Sequence, residues 1–389
     1  MTLTLSFDFQ SLPLITPAFV YAEGSIINAL NKLKNMAGTS GCKVLYSLKA
    51  FAMIDALRLM VPMLDGFAAS SLFEARLARD ILAGEGTVHM TSPGIRPDEV
   101  DDLTGLCDYI SFNSLSQWHR FGRLAGERVN CGLRVNPQLS FITDGRYDPC
   151  RRNSKLGVPL ERFVISLTGD GDRFSRLRGI HFHTHCEATS LAPLLTTVRH
   201  IESQLGKVLG NFEWVNMGGG YLYDEIEELE PFYEAVDLLK RKYGLNVFIE
   251  PGEAVVGNAG YLVSSVVDIF ESEGKRLAIL DTSINHIPSA FDYQCQPSVL
   301  HPNPQGPHTY LLAGATCLAG DLFGEYGFDA PLEIGSKITF GFLGGYSLVK
   351  ANMFNGINLP SIYALNERNE LVLKKQYTIK DFISRWEST

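Results

Sequence analysis

Eight short β-rich runs that alternate with helical patterns constrain the fold of this chain more than any other feature. In the helical patterns, apolar residues recur at steps of three and four, which is typical of amphipathic helices. Because strands that alternate with helices form parallel sheets, eight such units predict a parallel (β/α)8 barrel. The eight runs cover residues 42–49, 65–71, 86–92, 108–114, 131–137, 179–185, 213–220 and 246–252.

The pattern changes after about residue 255, where the segments are β-rich and separated by Gly and Pro. No comparable series of amphipathic helices follows. We therefore expect an α/β protein with a barrel over residues 22–255 and a mainly antiparallel β domain over residues 256–389. Residues 1–21 are also β-like and are expected to join the second domain.

The net charge indicates which class of partner the protein binds, and the cysteines indicate whether it contains disulfides or a zinc site. The chain has 43 acidic residues against 34 Lys and Arg, so its formal net charge is −9. This charge repels nucleic-acid phosphates and favours a cationic small molecule as the partner. The seven cysteines include no C-x-x-C pair, which argues against a disulfide framework and a zinc knuckle. The sequence shows no secretory leader and no membrane-spanning run, so we expect a soluble cytoplasmic protein.

A lysine and a glutamate end two of the predicted strands, at the edge where barrel enzymes carry their active sites. Lys49 follows an apolar run, where partial desolvation lowers the pKa of an amine and suits it to Schiff-base formation with an aldehyde. The alternative is a lysine whose stem is buried and whose ammonium reaches solvent. Glu250 follows the apolar run Val-Phe-Ile, and a buried carboxylate there needs a cationic partner such as a protonated pyridine nitrogen. The alternative is an ordinary acid in a loop.

Three histidines alternate along the sixth predicted strand, so His181, His183 and His185 are expected to face the same side. One interpretation is a metal site, although few carboxylates are predicted nearby to complete it. A second is a ring that stacks on a planar cofactor, and a third is a polar strand end with satisfied histidines.

Gly218, Gly219 and Gly220 follow the seventh predicted strand. Backbone N–H groups of a glycine run can converge on an anion, and barrels commonly bind phosphate after strands seven and eight. In the second domain, Cys317 lies in a glycine-bracketed loop and is a candidate proton donor, with a small buried side chain as the alternative. Tyr346 is a candidate hydrogen-bond donor. A lysine for an aldehyde, a glycine loop for a phosphate, a histidine for a ring and a glutamate for its nitrogen together describe a pyridoxal 5'-phosphate (PLP) site.

Ordered motifs over nearly the whole chain resemble one known family. They are LYSLKA at 45–50, GFAASSLFEARLA at 66–78, YDPCRRNSKLG at 147–157, GIHFHTH at 179–185, VNMGGG at 215–220 and GATCLAGD at 314–321. These motifs are similar to those of the fold type III PLP-dependent decarboxylases, which are related to alanine racemase and include ornithine and diaminopimelate decarboxylases. The closing stretch YSLVKANMFNG at 346–356 resembles the carboxynorspermidine branch of that family.

The resemblance implies a role for each candidate residue. Lys49 would hold PLP, His183 rather than His185 would stack on its ring, and Glu250 would keep the ring nitrogen protonated. The phosphate would lie at the glycine run, with Tyr346 as a further cofactor contact. Cys317 would return a proton to the substrate carbon across the interface of a homodimer. No metal ion is implied.

Departures from the family pattern bear on the substrate. Glu253 stands where ornithine and diaminopimelate decarboxylases have an arginine, and Leu318 stands where they have an acid. We therefore expect decarboxylation of a cationic carboxylated polyamine, carboxynorspermidine or carboxyspermidine, in polyamine biosynthesis, with Glu253, Asp292 and Asp321 as candidate partners of its ammonium groups. The alternatives are a diaminopimelate- or ornithine-like decarboxylase, a metal-dependent barrel hydrolase and a non-catalytic relative.

Overall fold

The structure is a computed structural model that describes residue 9, residues 12–169 and residues 171–388. The chain divides into two compact units, one formed by residues 27–255 and the other by the described parts of residues 1–26 and 256–389. Strand β1 (Ala18–Ala22) belongs to the second unit. For residues 1–8, 10 and 11, the expectation about the second domain lies outside the described residues.

Eight parallel strands of the first unit form a closed ring, which confirms the predicted barrel. Around the ring, each strand pairs with the next one, and the pairing of the fourth with the fifth closes the circle. The ring strands are β2 (Lys43–Ser47), β3 (Gly66–Ala69), β4 (Thr87–Ser92), β5 (Tyr109–Phe112), β6 (Asn130–Asn136), β8 (Gly179–His181), β9 (Trp214–Asn216) and β10 (Asn246–Ile249). The short β7 (Val158–Pro159) pairs with the carboxyl end of β6.

Side-chain caps and buried apolar faces stabilise the helices between the strands, as α3 shows. In α3 (Leu72–Leu82), the hydroxyl of Ser71 accepts a hydrogen bond from the backbone N–H of Glu74 (3.2 Å) and so caps the first turn. Apolar residues on one face of α3 are buried. The other helices of this region are α1 (Glu23–Ser40), α2 (Ile54–Met60), α4 (Val100–Leu106), α5 (Leu115–Gln117), α6 (Arg123–Ala125), α7 (Leu160–Gly169), α8 (Ala192–Leu205), α9 (Glu230–Asp237) and α10 (Glu253–Val256).

One large side chain fills the amino-terminal end of the barrel. Trp214 begins β9, is 2% exposed and packs with Leu45, Ala68 and Phe248. Its ring lies so close to β8 that a Cβ at Gly179 would be 2.1 Å from it. Apolar packing thus fills the amino-terminal end. The polar side chains that follow the strands lie at the opposite, carboxyl end.

The second unit is built on a mixed sheet in the order β14-β13-β12-β11-β1-β16-β17, with β15 paired to β11. Two pairs are parallel, β1 with β16 and β12 with β13, and the others are antiparallel, so the predicted mainly antiparallel domain is confirmed. Its further elements are β11 (Gly260–Ser272), β12 (Lys275–Leu280), α11 (Pro288–Tyr293), β13 (His308–Ala313), β14 (Leu322–Phe328), β15 (Lys337–Phe340), β16 (Ser361–Leu365), β17 (Leu371–Lys375) and α12 (Ile379–Ile383). In the described part of both units, every helix is too short or too polar to cross a bilayer.

Candidate active site

Lys49 lies in a tight turn directly after β2. The backbone N–H of Leu48 donates to the carbonyl of Ala68 (3.1 Å), and that of Ala50 donates to the carbonyl of Ser47 (3.2 Å). Solvent reaches the Lys49 side chain, yet the protein atoms around it lower the pKa of its amine, while the nearby Glu250 opposes this shift. A lysine with a lowered pKa is neutral more often than one in water, and only the neutral amine attacks an aldehyde.

Glu250 follows β10 and is 8% exposed. Its Oε1 accepts a hydrogen bond from Nδ2 of Asn216 (2.7 Å), and its Oε2 lies 3.9 Å from Nε2 of His181. Burial raises the pKa of Glu250, while Lys49, the bond from Asn216 and the buried Arg134 oppose that rise. A desolvated carboxylate held in this way can stabilise a cation that binds beside it.

The predicted alternation of three histidines along one strand is wrong. Strand β8 ends at His181, and the chain from residue 182 onward leaves the ladder, so His183 and His185 are not on the strand. The Nδ1 of His183 accepts a hydrogen bond from the backbone N–H of Gly219 (3.1 Å), a long-range contact that draws this segment toward the loop after β9. The described residues contain no cluster of His, Cys, Asp and Glu side chains arranged to hold a metal ion.

The surroundings of His183 favour the neutral form of its ring. Burial lowers its pKa well below the ordinary value, and the charges of Lys49 and Arg134 lower it further. Because Nδ1 accepts from Gly219, the single proton of the neutral ring is on Nε2. The hydrogen bond therefore fixes both the position of the ring and its tautomer, which suits a ring that packs on a planar group.

The glycine run after β9 is tightly enclosed but leaves few amides free. The N–H of Gly218 donates to Oδ1 of Asn216 (2.9 Å) and that of Gly219 donates to His183, so these two amides are already used. Among the described residues, no protein acceptor faces the N–H groups of Gly220 and Tyr221. Gly220 has φ +94°, and a Cβ there would lie 2.0 Å from the carbonyl oxygen of His185, so only glycine fits. An anion at this loop would bind the amides of Gly220 and Tyr221 rather than all three glycines.

Glu253 begins α10 among other acids. Its Oε2 is buried and accepts no hydrogen bond from the residues that the structure describes. Burial raises the pKa of Glu253 to about 7, and the negative charges of Glu187 and Asp224 add to that rise. An acid in such surroundings favours either a proton or a cationic group beside it.

Cys317 lies in the loop that joins β13 to β14, and its side chain is exposed. Its backbone N–H donates to Oδ1 of Asn355 (2.8 Å). Leu318, next to it, is 39% exposed. The loop therefore presents the thiol to the outside of this unit, and the alternative of a small buried side chain does not apply to Cys317.

The remaining candidates of the sheet unit have different surroundings. Asp292 is half exposed and forms an ion pair with Lys350. Asp321 is 2% exposed, and its carboxylate accepts hydrogen bonds from Thr316 and Ile284, so its contacts do not support the predicted role as a partner of substrate ammonium groups. Tyr346 is half-buried and has φ +57°, a conformation that few residues other than glycine adopt.

Sequence reasoning missed two residues that shape the site. Arg134 and Asn216 pair in register with His181 on neighbouring strands, so all three lie in one layer of the barrel. Both are at most 8% exposed, and both act on Glu250. A sequence signal for Arg134 existed: it is a charged residue inside an otherwise apolar strand, which predicts a buried charge with a partner. For Asn216, the VNMGGG motif marked the segment but not the contact with Glu250.

Residues 19–344 match the family described as "Pyridoxal-dependent decarboxylase, C-terminal sheet domain". The match covers most of both units and includes every candidate residue of the barrel. The chain belongs to the pyridoxal-dependent decarboxylases, and its cofactor is pyridoxal phosphate.

Two relatives and one crystal structure show which members of the family are similar to this chain. It is 35% identical over 385 residues to the carboxynorspermidine/carboxyspermidine decarboxylase of Campylobacter jejuni, across 95% of this chain and 98% of that protein. It is 34% identical over 382 residues to the carboxyaminopropylagmatine decarboxylase of Synechocystis, across 97% and 96% of the two chains. The crystal structure of the C. jejuni carboxynorspermidine decarboxylase complexed with norspermidine superposes with a TM-score of 0.86, covering 95% of this chain and 99% of that one.

Proposed function

We propose that this enzyme removes the carboxylate of carboxynorspermidine or carboxyspermidine and releases norspermidine or spermidine. The observation that carries the proposal is the similarity, at 35% identity and a TM-score of 0.86, to a decarboxylase crystallised with norspermidine. The net charge of −9 fits a cationic substrate. A cytoplasmic location is part of the same proposal.

Groups at the carboxyl end of the barrel fit pyridoxal phosphate in three places. Lys49 supplies an amine of lowered pKa for its aldehyde, Glu250 a carboxylate for its ring nitrogen, and the amides of Gly220 and Tyr221 two donors for its phosphate. When bound, pyridoxal phosphate accepts the electron pair that the departing CO2 leaves on the substrate carbon.

The protein groups act on that electron pair by position and charge. In our proposal, Glu250 remains ionised and holds a proton on the ring nitrogen, helped by the hydrogen bond from Asn216. His183, fixed by Gly219, packs on the face of the ring, and Tyr346 is a further contact of the cofactor. With the cofactor bound, the amine of Lys49 would give way to the substrate amine and would later release the product.

Proton return completes the proposed reaction. The thiol of Cys317 donates its proton to the carbon that has lost CO2. Its exposure in a loop and the resemblance to the fold type III decarboxylases support this role. We propose that the enzyme is a homodimer in which Cys317 is delivered across the subunit interface.

Acidic side chains are proposed to hold the distal ammonium groups. Glu253 is the strongest candidate, because its carboxylate faces other acids and gains a compensating charge when an ammonium binds. Asp292 is a second candidate, although Lys350 already pairs with it. A buried hydrogen bond between such charged groups contributes about 1.5–3 kcal/mol.

The Synechocystis relative favours a second candidate substrate, carboxyaminopropylagmatine, which ends in a guanidinium group. The two hypotheses are separated by the ratio of kcat/KM for carboxynorspermidine, carboxyspermidine and carboxyaminopropylagmatine, with diaminopimelate and ornithine as controls. The proposal predicts the highest value for one of the two carboxylated triamines. A higher value for carboxyaminopropylagmatine would establish the second candidate, and a higher value for diaminopimelate or ornithine would contradict both.

A further inference from the structure

The loop that carries Cys317 is organised around a buried carboxylate. Asp321 closes this loop at its far end and is 2% exposed. Its Oδ2 accepts hydrogen bonds from both the backbone N–H (3.0 Å) and the hydroxyl (2.5 Å) of Thr316, the residue directly before Cys317. Its Oδ1 accepts from the backbone N–H of Ile284 (2.7 Å), which anchors the loop to the segment after β12.

Backbone hydrogen bonds of Asp321 also close the loop. The N–H of Gly314 donates to the carbonyl of Asp321 (2.8 Å), and the N–H of Asp321 donates to the carbonyl of Leu318 (2.9 Å). A Cβ at Gly314 would lie 2.2 Å from Oδ1 of Asp321, so the carboxylate packs directly against the start of the loop. Asp321 therefore contacts the loop before and after Cys317.

A second side chain holds Cys317 itself. Oδ1 of Asn355 accepts the backbone N–H of Cys317 at 2.8 Å. Asn355 has φ +54°, a conformation that asparagine tolerates better than most residues and that is kept where a contact requires it. Hydrogen bonds thus join the backbone of Thr316 to Asp321 and the backbone of Cys317 to Asn355.

The charge of Asp321 is balanced by hydrogen-bond donors. The titratable group that acts on it from the neighbouring turn is His286, which is 3% exposed. Burial lowers the pKa of His286 to about 4, although Asp321 opposes that shift, so the imidazole is neutral at physiological pH. The three donors of Thr316 and Ile284 stabilise the carboxylate, and replacing it leaves them without an acceptor.

We propose that Asp321 is a positioning residue that, together with Thr316 and Asn355, fixes where the Cys317 thiol delivers its proton. This inference rests on the proposed role of Cys317 as the proton donor. It assigns to Asp321 a function in the outcome of the reaction, in place of a contact with the substrate.

The position of the thiol decides which product forms. When the Cys317 thiol gives its proton to the carbon that has lost CO2, that carbon becomes a CH2 group, the amine is released, and the thiolate later regains a proton from solvent. A proton delivered instead to the cofactor would leave the amino group of the substrate on the cofactor. The substrate carbon would then take its oxygen from water and leave as an aldehyde. The sum of amine and aldehyde equals the CO2 released in both cases, and no external oxidant or reductant is needed.

The test measures the aldehyde-to-amine ratio per CO2 released by the holoenzyme from carboxynorspermidine. Asp321→Asn has nearly the same shape, but its NH2 group would face a backbone N–H or hydroxyl donor that the carboxylate now accepts. We expect this variant to raise the ratio about tenfold, which corresponds to the loss of one charged hydrogen bond. Thr316→Val, which removes a single hydroxyl donor, is expected to raise the ratio by a smaller factor. The matched control is Glu325→Gln, an exposed acid on β14 that pairs with Lys275 and should leave the ratio unchanged.

A second readout follows the loop without catalysis. In a Cys295→Ser background, which removes the other exposed thiol, the rate at which a disulfide reagent modifies Cys317 is expected to change in Asp321→Asn and Thr316→Val. If Asp321→Asn does not fold, Thr316→Val and Asn355→Ala carry both measurements. An unchanged ratio together with an unchanged modification rate would overturn the inference. A wild-type enzyme that releases no CO2 from carboxynorspermidine would instead refute the proposed substrate, while the modification rate would still decide whether Asp321 orders the loop.

Discussion

At the scale of single residues, the candidate site depends on charges that burial makes costly. Glu250 is desolvated and stays useful as an anion because Asn216, Arg134 and Lys49 oppose the rise in its pKa. Glu253 has no such support and faces other acids instead. The first arrangement suits a permanent contact with a cation, and the second suits a cation that comes and goes with the substrate.

Replacing Glu250 tests the first arrangement. Glu250→Gln keeps an acceptor for Asn216 but removes the charge, so we expect kcat to fall on the order of 10²- to 10³-fold. The reaction needs the ionised form of Glu250, and burial raises the pKa of this group. On acidification, the wild type should therefore lose activity at a higher pH than it would if the glutamate were exposed. The pH profile of kcat measures this. Glu213→Gln, an exposed acid paired with Arg178, is the control, and an equal effect there would contradict the assignment.

Replacing Glu253 tests the second arrangement through stability. The folded-state pKa of about 7 lies above the unfolded value, so the protein gains stability from this group at low pH and loses it as the pH rises toward and through 7. Glu253→Gln should therefore stabilise the protein by about 1–3 kcal/mol near pH 8 and by less near pH 6. Urea unfolding at the two pH values measures the difference. Glu227→Gln, which replaces an exposed acid, should show no such pH dependence.

At the scale of elements, the sequence predicts the order of the strands better than their ends. All eight barrel strands lie within the predicted runs or begin one residue before them, because period and β-propensity are local properties. Strand β8 is shorter than predicted, and beyond its end His183 contacts Gly219, which lies far away in the sequence. The buried Arg134 and the Asn216 bond to Glu250 depend likewise on closure of the ring, which no local pattern encodes.

The close packing of Trp214 against β8 gives a prediction at this scale. A methyl group at Gly179 would lie 2.1 Å from the Trp214 ring, so Gly179→Ala should destabilise the barrel by about 1–3 kcal/mol or more. Gly38→Ala is the matched control, because it lies within α1 with nothing within 4 Å of its Cβ, and it should stabilise by about 0.5–1 kcal/mol. Urea unfolding measures both. Equal effects of the two substitutions would show that the Trp214 contact is not tight.

At the scale of the whole molecule, charge and family membership point the same way. The net charge of −9 produces a field that attracts a polycationic substrate. Raising the ionic strength from about 0.05 M to about 0.5 M should therefore raise the KM for carboxynorspermidine several-fold, since screening shortens the reach of that field. The dependence of KM and kcat on salt measures it. A KM that does not change, or that falls, would mean that long-range attraction has no part in substrate capture.

We propose above that this chain is a pyridoxal phosphate enzyme that decarboxylates a carboxylated triamine at Lys49. The most direct test incubates the enzyme, reconstituted with pyridoxal phosphate, with carboxynorspermidine and measures CO2 and norspermidine together. We predict equal amounts of the two products and a visible absorbance band of the bound cofactor. In Lys49→Ala, that band should be lost and kcat should fall on the order of 10³-fold or more. A reconstituted, coloured enzyme that releases no CO2 from this substrate, or a Lys49→Ala variant that keeps full activity, would contradict the proposed function.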